Sequence, residues 1–246
     1  MKTLSVIVPC YNEQESVPLF YEAFIKETAD MPVAFEFLFV DDGSGDNTLN
    51  AFRALRERDP RVHYISFSRN FGKESAMFAG MEAAQGDYVA IMDVDLQDPP
   101  SLLPEMLRGI EEDGYDCVAT RRVTRKGEPK VRSFFARAFY RLINILSDVK
   151  FEPNASDFFA VSKKAAKVLK TNYREKVRFL RGYVQNIGFN RTTIEYEARA
   201  RVAGESKYSI RKLFKFSINT ILCFSDLPLK LGIYSGIIVG FLGLLV

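Results

Sequence analysis

The sequence predicts an α/β domain built on a mostly parallel, doubly wound sheet. Two patterns point there: short apolar runs alternate with helix-period stretches through the first half of the chain, and a polar cluster follows each of the first four runs. Composition is the third observation. With 246 residues, 47% hydrophobic and 26% charged, the chain can bury a sizeable core, which excludes a disordered, collagenous or small disulfide-stapled protein. Length suits one compact domain with a small appendage.

The apolar runs Leu4 to Val8, Phe35 to Val40, Val62 to Phe67, Tyr88 to Met92 and Asp116 to Thr120 are predicted strands, because each is short and bounded by polar or turn-forming residues. Between them, Glu15 to Ala29, Thr48 to Arg58, Lys73 to Ala84 and Ser101 to Asp113 carry apolar residues at helical spacing. Asp46 or Asn47 is placed to cap the second of these helices. Such βα repetition favours parallel strands, and parallel sheets gather ligands at the carboxyl ends of their strands. The polar clusters Pro9 to Glu13, Asp41 to Asp46, Asn70 to Lys73 and Asp93 to Asp98 fall at those ends.

Beyond Thr120 the pattern loosens into a basic linker, Arg121 to Arg132. In Ser133 to Ser147, Phe135, Phe139, Leu142 and Leu146 share one helical face, with Arg137 and Arg141 elsewhere. That face suits either an ordinary core helix or one lying on a membrane surface. Ser209 to Phe224 is expected at the interface. It leads through Pro228 to Leu231–Val246, sixteen residues without a charge, where a membrane span needs roughly 20 apolar residues. The tail reads as a transmembrane helix cut short, with a buried C-terminal core helix as the alternative, and Arg211, Lys212, Lys215 and Lys230 supply the basic flank expected on the cytoplasmic side of a span. The expected domains are a cytosolic domain 1–208, an amphipathic juxtamembrane segment 209–228 and the start of a span, 229–246, at the cytoplasmic face of the inner (plasma) membrane.

The net charge of +3 hides a division: residues 1–118 hold 9 Lys+Arg against 22 Asp+Glu, and residues 119–246 hold 25 against 9. An acidic half able to hold a cation precedes a basic half suited to anions, although two differently solvated faces would give the same split. The acidic half lacks the basic-aromatic interleaving of a nucleic-acid binder. Cys10, Cys117 and Cys223 form no CxxC pair and follow no secretory leader, which implies a reduced, cytosol-facing chain. A single histidine, His63, in an apolar run excludes His-ligated zinc clusters and argues against a Ser-His-Asp hydrolase.

Asp93-Val94-Asp95 leaves an apolar strand and is followed by Gln97, so two carboxylates on an extended chain point alike, with a side-chain amide nearby. Hard oxygen donors of this kind suit Mg²⁺ or Mn²⁺ bridging the phosphates of a nucleotide. Acidic residues also end strands simply as turn formers. The Asp41–Asp46 cluster could accept from a base N–H or a ribose hydroxyl, or could be a tight turn, and both can hold together. Tyr11 offers an aromatic face for a base, and Lys73 places a cation where a diphosphate could sit.

The series VPCYNE (Val8 to Glu13), DDGSGD (Asp41 to Asp46), NFGK (Asn70 to Lys73) and DVDLQDPP (Asp93 to Pro100) resembles family 2 glycosyltransferases of the GT-A fold. RFLRG (Arg178 to Gly182) and RVAGESKYSIRKL (Arg201 to Leu213) are similar to the polyisoprenyl-phosphate branch, which includes bactoprenol glucosyltransferases and dolichyl-phosphate mannose synthases. The resemblance covers nearly the whole chain. It implies a nucleotide-sugar pocket of Pro9, Tyr11, Asn12, Glu13, Val40, Asp42, Lys73, Asp93 and Val94, and a metal held by Asp93, Asp95 and Gln97. It further implies catalytic roles for Asp95, Asp157 and Lys207, and acceptor-phosphate contacts from Arg122, Arg132, Arg201 and Ser206. The family often has Gly-Asp-Phe-Arg where this chain has Ser156-Asp157-Phe158-Phe159, which leaves Asp157 in place but removes an arginine beside it.

By this resemblance the chain is expected to be an inverting, metal-dependent hexosyltransferase. It would move a hexose, from UDP-glucose or a related UDP-sugar, to polyprenyl (undecaprenyl) phosphate at the membrane, as a monomer or a homo-oligomer. A family 2 enzyme with a soluble sugar or polysaccharide acceptor is the first rival. A catalytically idle nucleotide-sugar-binding protein of a membrane assembly is the second. The basic half argues against the first, and the intact Asp93, Asp95 and Gln97 against the second.

Overall fold

In a computed structural model of the chain, the described residues are 1–123, 141, 144–145, 155–175, 178–200 and 224–244. The first half runs β1 (Thr3–Cys10), α1 (Ser16–Glu27), β2 (Ala34–Asp41), α2 (Thr48–Arg58), β3 (Val62–Ser66), α3 (Lys73–Ala83), β4 (Tyr88–Ile91), a 3-10 turn (Pro100–Leu102), α4 (Leu103–Glu111) and β5 (Cys117–Arg122). Then come β6 (Ala155–Ser162), α5 (Lys163–Asn172), α6 (Leu180–Asn186), β7 (Arg191–Tyr196) and α7 (Leu227–Leu244). All five predicted strands and all four predicted helices of the first half are present. Their ends shift by up to two residues, the last helix beginning only after Pro100–Leu102 has turned.

Among the described residues seven strands form one sheet in the order β3-β2-β1-β4-β6-β5-β7. The β1–β2, β1–β4, β2–β3 and β5–β7 pairs are parallel, whereas β6 runs antiparallel to both β4 and β5. The sheet is thus mostly parallel as expected, with one reversed strand inserted near its middle. The chain winds outward from β1 to β3 and then crosses back to β4, so the switch of direction lies between β1 and β4. Crevices open at such points, beyond the carboxyl ends of the strands.

Alternation along β1 divides the core. Leu4, Val6 and Val8 join Phe20 and Phe24 of α1, Phe37 and Phe39 of β2, Phe52 of α2 and Met106 of α4 in one buried cluster. On the opposite face Ile7 packs so closely on α3 that a Cβ at Gly80 would lie 2.3 Å from Ile7 Cγ2. Helices therefore cover both faces, and the strand-end loops are held by a core stacked on each side.

The chain divides into two compact units: Met1–Gly127, Asn154–Arg174 and Leu180–Ser206 form the first, and Glu128–Pro153, Glu175–Phe179 and Lys207–Val246 the second. In the second unit, Phe179 and Phe224 meet edge to face with ring centroids 6.1 Å apart. Its 18-residue α7 exposes Leu231, Ile233, Ile237, Val239 and Phe241. The expected C-terminal transmembrane segment is unsupported: among the described residues no helix is long and apolar enough to cross a membrane. At 1.5 Å per residue, α7 reaches about 27 Å against a hydrocarbon core of about 30 Å. The proposed surface helices Ser133–Ser147 and Ser209–Phe224 lie almost wholly outside the described residues.

Candidate active site

The carboxyl ends of β1 and β2 are laced into one platform. Asn12, at φ 53°, donates its N–H to Ser44 Oγ at 2.9 Å and accepts the Gly45 N–H on Oδ1 at 2.8 Å. The Glu13 N–H meets Thr48 Oγ1 at 2.8 Å, and the Asn47 N–H meets Gln14 Oε1 at 3.0 Å. Asp46, rather than Asn47, accepts from Thr48 at the head of α2. Gly43 is required here. At φ +67° a Cβ would lie 2.3 Å from the Arg69 carbonyl carbon, so only glycine lets the β2 and β3 loops meet.

Asp42 is 3% exposed, and both of its oxygens are engaged. Oδ1 accepts from the Phe71 N–H at 2.7 Å, and Oδ2 accepts from Asn70 Nδ2 and the Gly72 N–H, each at 2.9 Å. Burial pushes its carboxyl above the ordinary value although the Phe71 and Gly72 N–H groups oppose this. Asp42 thereby shapes the loop that delivers Lys73. Val40 and Val94 are 0% and 5% exposed, Val94 within the main core cluster, so both support the pocket floor from within. Pro9 is buried, while Tyr11, Asn12 and Glu13 are partly exposed at the rim.

From the head of α3, Lys73 Nζ lies 2.6 Å from Asp93 Oδ1 and 2.7 Å from Asp157 Oδ2. Arg181 of α6 adds a second cation, its Nη1 3.4 Å from Asp157 Oδ1. Burial works against the Asp157 carboxylate, yet Lys73 and Arg181 outweigh it and hold the group well below the usual carboxylate range. The site thus gathers residues from the loop after β4, from β6, α3 and α6, segments far apart in sequence. Asp95 is nearly buried and its Oδ1 accepts the Gln97 N–H at 3.0 Å, across Leu96 at φ 58°.

Among the described residues no three His, Cys, Asp or Glu side chains gather into a metal cage. What the loop after β4 supplies is a pair of carboxylates, Asp93 with a quarter of its side chain exposed and Asp95 nearly buried. This hard-oxygen set fits Mg²⁺ or Mn²⁺ bound by one or two carboxylates with substrate phosphates completing the shell.

Arg122 is tied down instead of open to a ligand. Its Nη2 lies 2.7 Å from Asp98 Oδ1, its Nε donates to Tyr196 Oη at 2.9 Å, and Tyr196 donates in turn to Asp98. Ser156 Oγ completes this group at 3.3 Å from Asp98 Oδ2. Burial works against the Arg122 charge, and Asp98 and Tyr196 outweigh it. With Asp98 fully buried, the pair braces the loop that follows Asp95. Nearby, the Arg199 N–H donates to Gln97 O at 3.0 Å and its guanidinium grips Glu27, so the chain leaving β7 is anchored at the same loop. Arg132, Arg201, Ser206 and Lys207 lie outside the described residues.

Sequence reasoning assigned no role to Arg181, Asp98 or Tyr196. Arg181 stands inside RFLRG and Asp98 inside DVDLQDPP, so the motifs contained the signal, but which carboxylate or guanidinium each meets is decided by tertiary pairing.

The sequence matches the glycosyl transferase family 2 profile over residues 5–169. It is 40% identical over 242 residues to the uncharacterized glycosyltransferase YkcC of Bacillus subtilis (strain 168), covering 98% of this chain and 74% of that protein. It is 37% identical over 237 residues to the bactoprenol glucosyl transferase of Shigella phage SfV, covering 96% of this chain and 76% of that protein. In fold, it resembles glucosyl-3-phosphoglycerate synthase from Mycobacterium tuberculosis, solved in complex with Mn²⁺, UDP-glucose and phosphoglyceric acid. There the TM-score is 0.59 at 21% identity, over 88% of this chain and 76% of that one. The mixed α/β sheet is accordingly GT-A-like, and with its strand-end carboxylates and shared lysine this chain belongs to glycosyl transferase family 2.

Proposed function

We propose that the enzyme transfers glucose from UDP-glucose to the phosphate of a polyprenyl carrier at the cytoplasmic face of the membrane, with inversion at the anomeric carbon. The observation that carries this reading is Lys73 bridging Asp93 and Asp157, with Arg181 behind. A cationic ridge between two carboxylates suits a reaction in which an anionic phosphate attacks and an anionic diphosphate departs. The bactoprenol glucosyl transferase likeness, the excess of Lys and Arg in residues 119–246 and the exposed apolar side chains of α7 support a lipid-phosphate acceptor.

In the transfer, an acceptor phosphate oxygen forms a bond to the anomeric carbon as the bond from that carbon to the diphosphate oxygen breaks, through an oxocarbenium-like state. Bound Mg²⁺ or Mn²⁺, held by Asp93 and Asp95, would supply charge neutralisation to the diphosphate. Lys73 places positive charge between donor and acceptor subsites. A phosphate monoester with a second pKa of about 6 is already largely a dianion at pH 7, so it needs no strong base. Asp157, ionised and paired with two cations, orients the acceptor side of the site through those cations.

The test is transfer of label from a panel of radiolabelled nucleotide sugars to undecaprenyl phosphate, with extraction of the lipid phase. UDP-glucose is expected to carry label into that phase. Label appearing only in soluble sugar or polysaccharide would replace the lipid acceptor with the alternative.

A further inference from the structure

Glu74 follows Lys73 in the first turn of α3, where an acidic side chain ordinarily faces water and complements the helix dipole. Here it is partly buried, and its Oε2 accepts the Leu180 N–H at 2.8 Å. Leu180 opens α6, so this N–H is one that the helix itself leaves without a partner. The next residue, Arg181, sends Nη1 to the Ala155 carbonyl at 2.5 Å and lies 3.4 Å from Asp157 Oδ1. Two adjacent residues of α3 therefore reach one carboxylate by different routes. Lys73 touches Asp157 directly, and Glu74 acts through the backbone that carries Arg181.

We propose that Glu74 is a positioning residue for glycosyl transfer, which keeps Arg181 on Asp157 by holding the head of α6 against α3. The inference rests on Asp157 lying at the point of transfer, as in the proposed reaction.

The groups facing Glu74 set the form in which it acts. Burial and the Asp157 carboxylate from β6 raise its pKa, while the Leu180 N–H and Arg181 from α6 and Lys73 on its own helix oppose them. The outcome is a carboxyl pushed up to about 7. A neutral Glu74 accepts from Leu180 without adding charge beside Asp157, whereas an ionised one competes with Asp157 for Arg181 and Lys73. Because the folded value lies above the ordinary 4.5, the associated stability is fully present below about 4.5 and is lost as pH rises through about 7.

Glu74→Ala, Glu74→Gln, Arg181→Ala and the double variant Glu74→Ala/Arg181→Ala test this, with thermal unfolding and Leu180 amide exchange followed alongside turnover. Glu74→Ala is expected to lower kcat about tenfold or more at unchanged donor KM, as an anchor to a charged site residue is lost. Glu74→Gln retains an oxygen that can accept from Leu180 and should stay within about threefold of the native rate at pH 6, below the pH at which Glu74 ionises. In the Arg181→Ala background, adding Glu74→Ala should cost no more than about twofold, because both act through one contact. Leu180 N–H exchange should accelerate in Glu74→Ala and not in Glu74→Gln. A Glu74→Gln enzyme as slow as Glu74→Ala, or losses that add fully across the double variant, would overturn the proposal. If the native enzyme moves no label to lipid, the acceptor reading fails separately, and the same four variants decide the role of Glu74 on hydrolysis of the nucleotide sugar.

Discussion

Lys73 donates to Asp157 across 84 residues of sequence at 2.7 Å, joining the head of α3 to β6, which runs antiparallel to its neighbours. The same ammonium lies 2.6 Å from Asp93, so a single cation offsets the repulsion of two carboxylates that the fold brings together. Asp42 makes this possible one step back, by gripping the backbone of Phe71 and Gly72 just before the lysine.

Lys73→Met is expected to cut the transfer rate on the order of hundredfold, because the site loses its central positive charge while the two carboxylates remain. Lys73→Arg should recover part of the rate, since the charge returns with different geometry. Steady-state kinetics decide the matter. A Lys73→Met enzyme within twofold of native would show that the bridge is a surface ion pair only.

Asp157→Asn should impose a defect that stays constant from pH 6 to pH 9. The depressed Asp157 pKa keeps the group ionised throughout that range, so its own titration adds no pH dependence. The acceptor phosphate, with its second pKa of about 6, and Glu74, at about 7, change state there, so the comparison is made in a Glu74→Gln background, which removes the second of these. A defect that shrinks steadily with rising pH would instead point to Asp157 helping to remove the last acceptor proton.

Arg122→Ala should act mainly on stability. It strips the partner from Asp98, which is 0% exposed, and breaking a buried pair from one side costs about 3–5 kcal/mol. Asp98→Asn with Arg122 intact should destabilise through the same network. Urea unfolding monitors both, and a loss below about 1 kcal/mol for Arg122→Ala would be the size of an exposed pair and would return Arg122 to the list of ligand contacts.

Chelation with excess EDTA and the substitution Asp95→Ala should each abolish transfer, and Asp93→Ala should be nearly as severe while also releasing Lys73. Added Mn²⁺ should restore the native enzyme and not the Asp95 variant. Undiminished turnover in EDTA would reduce the acidic pair to a strand-end turn.

What the sequence disclosed was periodic or local. The βα alternation through β5 was legible because each element carries its own burial pattern, and the strand-end clusters were legible because parallel topology dictates where loops gather. β6 was not: ASDFFAVS follows a long basic stretch, and nothing within it says that it inserts antiparallel between β4 and β5. The same limit applies to side chains. Val40 and Val94 sit at motif positions, yet strand alternation turns Val40 into the core and the turn after β4 packs Val94 there, and Arg122 looks available until Asp98 and Tyr196 claim it.

The basic half separates two uses of positive charge. Attraction to an anionic leaflet is worth about 1 kcal/mol per Lys or Arg, is screened by salt and accepts any cation as a substitute. Recognition of a phosphate by a planar fork of donors does not accept lysine for arginine. With Arg122 committed to Asp98, the acceptor contacts proposed from the motifs fall to Arg132 and Arg201, the latter two residues after Arg199, which is anchored at Gln97 and Glu27. Arg132→Lys or Arg201→Lys is therefore expected to raise the KM for polyprenyl phosphate about tenfold, with the nucleotide-sugar KM little changed and liposome binding intact. Lys212→Gln with Lys215→Gln should do the reverse, weakening liposome binding in a salt-dependent way with little effect on turnover in detergent. Native kinetics toward the lipid in both arginine variants would remove the residue-level support for a phosphate acceptor and favour a soluble one.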